Sequence, residues 1–118
     1  MQRKKHPQMS DAQIEEAAGL FGILAEPSRL RLLRALMDGG QTVSELMEVT
    51  GMRQGNVSKH LGVLLGARFV RREREGSFAR YEISDRRLFS LCRLMCERID
   101  HDARRRLSEL SASRRPRA

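Results

Sequence analysis

Tryptophan is absent from this 118-residue chain, tyrosine occurs once and phenylalanine four times. Proteins that grip RNA loops or single strands stack bases on aromatic platforms. So meagre a supply argues against that class and leaves duplex DNA as the better nucleic-acid partner. Lysine is scarce too: the basic residues are 20 Arg and 3 Lys, and the net charge is +8. That balance favours polyanions. The bias to guanidinium, whose fork matches phosphate and guanine, fits nucleic acid better than mere solubility, although a solvated charged surface is the bland reading. Two cysteines are too few for a disulfide framework and point to a reducing, cytoplasmic setting. No apolar run nears the roughly 20 residues of a membrane span. The basic stretch Met1 to Met9 has no apolar core behind it and does not read as a signal peptide. Neither a His-Glu-x-x-His pair, nor a glycine-rich phosphate loop, nor a nucleophile with partners occurs, so the chain does not read as an enzyme.

The length suits one domain, placed at residues 10–110, between a flexible basic arm at 1–9 and a disordered basic tail at 111–118. Ser10 is an N-cap for a first helix with Ile14, Ala17, Ala18, Phe21 and Leu24 on its apolar stripe. Pro27 cannot continue that helix but fits the first turn of the next, which runs to about Asp38 and buries Leu30, Leu33, Leu36 and Met37. Thr42-Val43-Ser44-Glu45 is a capping box that opens a third helix.

Beyond Gly51, residues 52–64 carry the most informative pattern. Val57, Leu61, Leu64 and Leu65 share one helical face, while Gln54, Asn56, Ser58, Lys59 and His60 fill much of the rest. Those side chains can donate to or accept from base edges, and Lys59 can hold a phosphate. Two helices in that order predict a helix-turn-helix with its second helix presented to a DNA groove. Phe69 to Glu75 and Phe78 to Ile83 read as two strands turning at Gly76-Ser77, and Arg71, Arg72, Arg74 and Arg80 make the hairpin a basic wing. Ser84 is a cap for the last helix, whose stripe is Leu88, Leu91, Cys92, Met95, Cys96 and Ile99, continuing weakly to Leu110. The expected fold is therefore mainly α with a small β-hairpin: a winged helix-turn-helix of five helices plus a two-stranded wing. The outer helices keep wide apolar stripes that a second subunit would cover, which predicts a homodimer with Phe21, Leu88, Leu91, Met95 and Ile99 at its interface. A two-fold dimer would read a palindromic duplex operator.

From about Phe21 to Ile99 the chain resembles the ArsR/SmtB family of dimeric winged-helix repressors. The carrying residues are the run Leu24-Ala25-Glu26-Pro27-Ser28-Arg29-Leu30-Arg31-Leu32-Leu33, then Val43-Ser44-Glu45-Leu46, then Asn56-Val57-Ser58-Lys59-His60-Leu61, with Tyr81-Glu82-Ile83 and Asp85 completing the set. The resemblance implies a cytosolic dimer that blocks transcription until an effector loosens it from DNA. Its recognition helix matches Gln54, Asn56, Ser58, Lys59 and His60, and its wing matches Arg74, Gly76 and Ser77. Arg72, Ser77 and Arg80 join these as expected DNA contacts. Where the family often places glycine after that helix, Arg68 stands here. Either the cap has shifted or Arg68 is left-handed at a cost of about 1 kcal/mol.

Positions matching the family's zinc ligands read Asp85, Arg87, Arg98 and His101. Guanidinium cannot replace imidazole on zinc, so that site is not expected. The third helix has no Cys-x-Cys. Cys92 and Cys96, four residues apart, share a helical face and can bridge a soft ion such as As(III), with a third ligand from the partner subunit or solvent. Redox or sulfur chemistry is a second option. The other reading is packing, since both thiols lie in an apolar stripe. His60, without a second ligand nearby, reads as a DNA or helix-packing contact. Two alternatives to a thiol-sensing repressor stay open: a winged-helix protein-interaction module, and a repressor without thiol sensing.

Overall fold

A computed structural model describes residues 8–113. Of the basic arm expected at 1–9, residues 1–7 lie outside them, as does the tail from residue 114. By internal contact the chain forms two compact units, one ending at Asp85 and one beginning at Arg86.

In the first unit, α1 (Asp11–Leu24) starts at a reciprocal cap: Ser10 Oγ accepts from the Gln13 amide at 3.2 Å, and Gln13 Oε1 accepts from the Ser10 amide at 2.9 Å. None of its residues is buried. Pro27 opens α2 (Pro27–Leu36), whose first turn needs no amide from that residue, and the Glu26 carboxylate caps it by accepting from the Arg29 amide at 3.1 Å. The helix stops at Leu36, two residues short of the expectation, and the chain turns through Gly39 at φ +135°. Then come β1 (Gln41–Thr42), α3 (Val43–Thr50), α4 (Gln54–Gly66), β2 (Val70–Glu75) and β3 (Phe78–Ile83). The Thr42–Glu45 capping box forms as its spacing dictates, with bonds of 3.0 and 3.2 Å.

The hairpin of β2 and β3 matches the expected wing, paired from Val70–Ile83 to Glu75–Phe78. It has a third strand that the sequence reading lacked: β1 pairs antiparallel with β3, Gln41 opposite Tyr81 and Thr42 opposite Arg80, giving the order β1-β3-β2. Two residues are too short a run for alternation to be visible. The core lies where α2, α3, α4 and β2 meet. Leu32, Leu33, Leu36, Leu46, Val57, Leu61, Leu64 and Val70 are buried there, each large aliphatic contributing about 1.5–3 kcal/mol relative to exposure. Leu30, expected inside, is exposed.

Helix α4 ends as its sequence forces it to. No glycine stands after Ala67, so Arg68 itself takes the left-handed conformation, φ +63°, and the Phe69 amide reaches back to Leu64 O at 3.0 Å. Of the two alternatives for this position, the strained one is realised.

The second unit is α5 (Arg87–Ser113), 27 residues long and so about 40 Å at 1.5 Å per residue. It runs past Leu110, so residues 111–113 are helical and not tail. It does not begin on a Ser84 cap. The Ser84 hydroxyl donates instead to Arg68 O at 2.5 Å and its amide to Phe69 O at 3.0 Å, which closes the base of the wing.

Candidate nucleic-acid interface

The turn before α4 is built from two locks. Gly51, at φ +73°, donates its amide to Met47 O at 2.9 Å, ending α3 in a conformation that favours glycine. Thr50 Oγ1 donates to Leu46 O at 2.6 Å and accepts from the Met52 amide at 3.2 Å, so one hydroxyl holds both sides of the turn. Helix α4 then starts at Gln54, with Arg53 at its N-cap and no side chain capping it.

Along α4, Gln54, Asn56, Ser58 and Lys59 are exposed while Val57, Leu61 and Leu64 are buried, as the periodicity requires. His60 breaks from the expected group. It is 9% exposed and turned inward, where its Nδ1 accepts from Arg29 Nε at 3.3 Å and lies 3.8 Å from Glu26 Oε2. Its expected place at a base edge is therefore corrected, and the helix-packing alternative is the one realised: the imidazole is committed to α2. Arg29 also donates through Nη1 to Ile23 O at 3.0 Å. The sequence reading missed Glu26 and Arg29 as parts of this assembly. Nothing local marks them, because Arg29 meets a partner 31 residues away.

The wing sorts its arginines by face, since alternate residues of a strand point to opposite sides. On one face Arg71 donates to Glu82 at 2.7 Å and sits 3.4 Å from Glu73, while Arg80 meets Glu75 at 3.2 Å. The hydrogen bond to Glu82 and then the charge of Glu73 push the Arg71 guanidinium above its ordinary range. Arg80 also donates to Gly40 O at 2.6 Å and is half-buried. Its guanidinium is spent on holding the loop, which corrects its expected role as a DNA contact. On the other face, Arg72 and Arg74 are exposed and have no ion pair among the described residues. Ser77 is exposed at the hairpin turn, beside Gly76 at φ +60°.

On α5, Cys92 is half-buried and Cys96 exposed, one turn apart and both free. Burial, and after it the charge of Cys96, push the Cys92 thiol above its ordinary range. Among the described residues no third His, Cys, Asp or Glu joins two others in a group able to hold a metal. A soft ion held by this pair would have to take any further ligand from elsewhere. At a position matching a zinc ligand, the Arg98 guanidinium binds Asp102 at 3.0 Å. Of the expected interface residues, Phe21, Met95 and Ile99 are 57–60% exposed and Leu91 is half-buried. Leu88 is only 4% exposed and has no free surface to offer a second subunit, which corrects its place in that group.

Three helices around a core, the last of them carrying outward polar side chains and followed by an antiparallel basic hairpin, define a winged helix-turn-helix. Residues 26–72 match the model of the arsR family of bacterial regulatory proteins. Over 80 residues, 68% of this chain, the sequence is 36% identical to a probable mercury resistance operon repressor of Streptomyces lividans; the match spans 64% of that protein, under two thirds of its length. The crystal structure of the AntR antimony-specific transcriptional repressor superposes with a TM-score of 0.74 at 31% identity, covering 86% of this chain and 92% of that one. The homodimeric winged helix-turn-helix DNA-binding domain Mb0332 of Mycobacterium bovis superposes at 0.68 with 29% identity, covering 81% and 95%. The chain belongs to the ArsR family, as the resemblance of its motifs implied. No helix among the described residues is long and apolar enough to cross a membrane.

Proposed function

We propose that this chain is a homodimeric, cytoplasmic transcriptional repressor that binds a palindromic duplex operator. The observation that carries this reading is the exposed row Gln54, Asn56, Ser58 and Lys59 on α4, joined by the unpaired Arg72 and Arg74 of the wing. In this reading Gln54, Asn56 and Ser58 meet base edges, while Lys59, Arg72, Arg74 and Ser77 meet phosphates. A homodimer is favoured by the outward apolar side chains Phe21, Met95 and Ile99 and by the homodimeric state of Mb0332. Two-fold symmetry then requires half-sites about one DNA turn apart.

The effector in this reading is a thiophilic species, As(III) or a soft metal ion, taken by Cys92 and Cys96. A ligand bridging one turn of α5 acts on the helix that carries Met95 and Ile99, and a shift there changes the spacing of the two recognition helices. The probable mercury resistance operon repressor and the antimony-specific repressor among the relatives favour this class.

The test is selection of bound duplexes from a randomised library, with affinity then measured across salt. A repressor recovers a palindrome and loses affinity steeply as salt rises. Recovery of no sequence, or a shallow salt dependence, defeats the reading in favour of a protein-interaction module. Arsenite, mercury(II), antimonite, cadmium, zinc, peroxide and polysulfide are then added to the bound complex. Release by none of them, or release that persists without both thiols, leaves a repressor whose cysteines only pack.

A further inference from the structure

The apolar contacts that seat α4 on the core are not directional. Val57, Leu61 and Leu64 are held by burial, which constrains depth better than it constrains rotation about the helix axis. A hydrogen bond constrains rotation, because it weakens steeply when misaligned. His60 supplies such a bond from the middle of α4, and its donor, Arg29, is itself fixed. The Arg29 amide is held by the Glu26 carboxylate at 3.1 Å, and its Nη1 is anchored on Ile23 O, in the last turn of α1, at 3.0 Å. The guanidinium thus spans the α1–α2 corner and presents Nε to the imidazole.

We propose that Arg29 and His60 are positioning residues for sequence discrimination: their bond sets the roll of α4, and so where Gln54, Asn56 and Ser58 point, without touching DNA. The inference rests on the repressor reading. A rotation of about 10° moves a side-chain tip 5–6 Å from the helix axis by about 1 Å. Base-edge hydrogen bonds tolerate about half of that. Phosphate contacts through long, mobile arginines absorb it. Loss of the Arg29–His60 bond therefore lowers affinity for the cognate sequence and leaves non-specific affinity in place.

The experiment compares one duplex recovered by the wild-type chain from a randomised library with a scrambled duplex of equal composition. His60→Leu, which keeps volume and removes the acceptor, is expected to lose about tenfold on the recovered duplex and under twofold on the scrambled one. His60→Asn, whose Oδ1 stands near the place of Nδ1, is expected to stay within about threefold of wild type on both. Arg29→Lys keeps the charge without the Nε–H and serves if His60→Leu does not fold. It is expected to lose discrimination to a similar degree, and the double variant no more than either single one. The proposal is overturned if the acceptor-less variants keep the wild-type ratio between the two duplexes. It is overturned equally if His60→Asn and His60→Leu lose alike, or if both duplexes weaken together in step with thermal stability. A wild-type chain that recovers no sequence removes the repressor reading, and this role with it; a recovered palindrome with unchanged ratios removes this role alone.

Discussion

Gly40 and Arg80 are pressed together across the sheet. A methyl group at Gly40 would stand 3.0 Å from Arg80 Cδ and Cγ and 2.7 Å from Glu82 Cγ, while Gly40 O accepts from Arg80 Nη1 at 2.6 Å. Arg80 cannot yield freely, because Glu75 holds its other side. Gly40→Ala is expected to destabilise the fold by about 1–2 kcal/mol, as overpacking does. Urea unfolding checks this, and a midpoint unchanged from wild type contradicts the contact.

Arg68 stands left-handed where glycine would be unstrained. Arg68→Gly is expected to raise stability by about 0.5–1 kcal/mol, the relief of strain outweighing the greater freedom of the unfolded chain. The reading is a higher denaturation midpoint at unchanged slope. A lower midpoint would mean that the Arg68 side chain contributes more than its backbone costs.

The two faces of the wing give opposite expectations for arginines only residues apart. Arg74→Ala is expected to weaken binding to every duplex alike and to reduce the slope of log affinity against log salt by about 1. Arg71→Ala, whose charge is already met by Glu82 and Glu73, is expected to leave that slope where it is. Asn56→Ala is expected to relax discrimination at one position of the recovered sequence instead. Equal slopes for the two arginine variants would refute the division by face.

Cys92 is held in its protonated form by burial and by the neighbouring thiol. A thiophilic ion must therefore displace a proton from it, and affinity is expected to rise with pH across the neutral range, by up to about tenfold per unit for each proton released. Calorimetric titration in buffers of different ionisation heat counts those protons. Cys92→Ser together with Cys96→Ser is expected to keep DNA binding and abolish release. Binding indifferent to pH would place the ligand elsewhere.

The Glu45 carboxyl is held below the ordinary carboxylate range by the Thr42 amide and then by the Thr42 hydroxyl. For an acid whose folded pKa is depressed, stability is present above its unfolded value and is lost as pH falls through its folded one. Helix α3 is thus expected to loosen on acidification below the usual glutamate range. Amide exchange at the start of α3, faster at low pH than base catalysis alone allows and unchanged in Glu45→Gln, reads it.

Most elements were legible because they are periodic or punctuated. The α4 face shows in Val57, Leu61 and Leu64, the start of α3 in Thr42 and Glu45, and the wing turn in Gly76. The site was legible only as composition. Sequence spacing put His60 among the readers because it follows Ser58 and Lys59 in the polar part of the helix, and Arg80 among the DNA contacts because it shares the hairpin with Arg71, Arg72 and Arg74. Which polar side chains turn inward depends on partners distant in the chain, Arg29 for the first and Gly40 for the second. Leu88 was misplaced for the same reason: a stripe says which residues share a face, not how much of it one chain already covers.

The outward and inward side chains of α4 interleave within a few residues: Gln54, Asn56, Ser58 and Lys59 out, Val57, His60 and Leu61 in. On the proposed reading, lettering and hinge are written in one short run but on separate positions. A lineage descended from this chain would then drift to a new operator by exchanging the outward residues alone, leaving the mounting that aims them untouched.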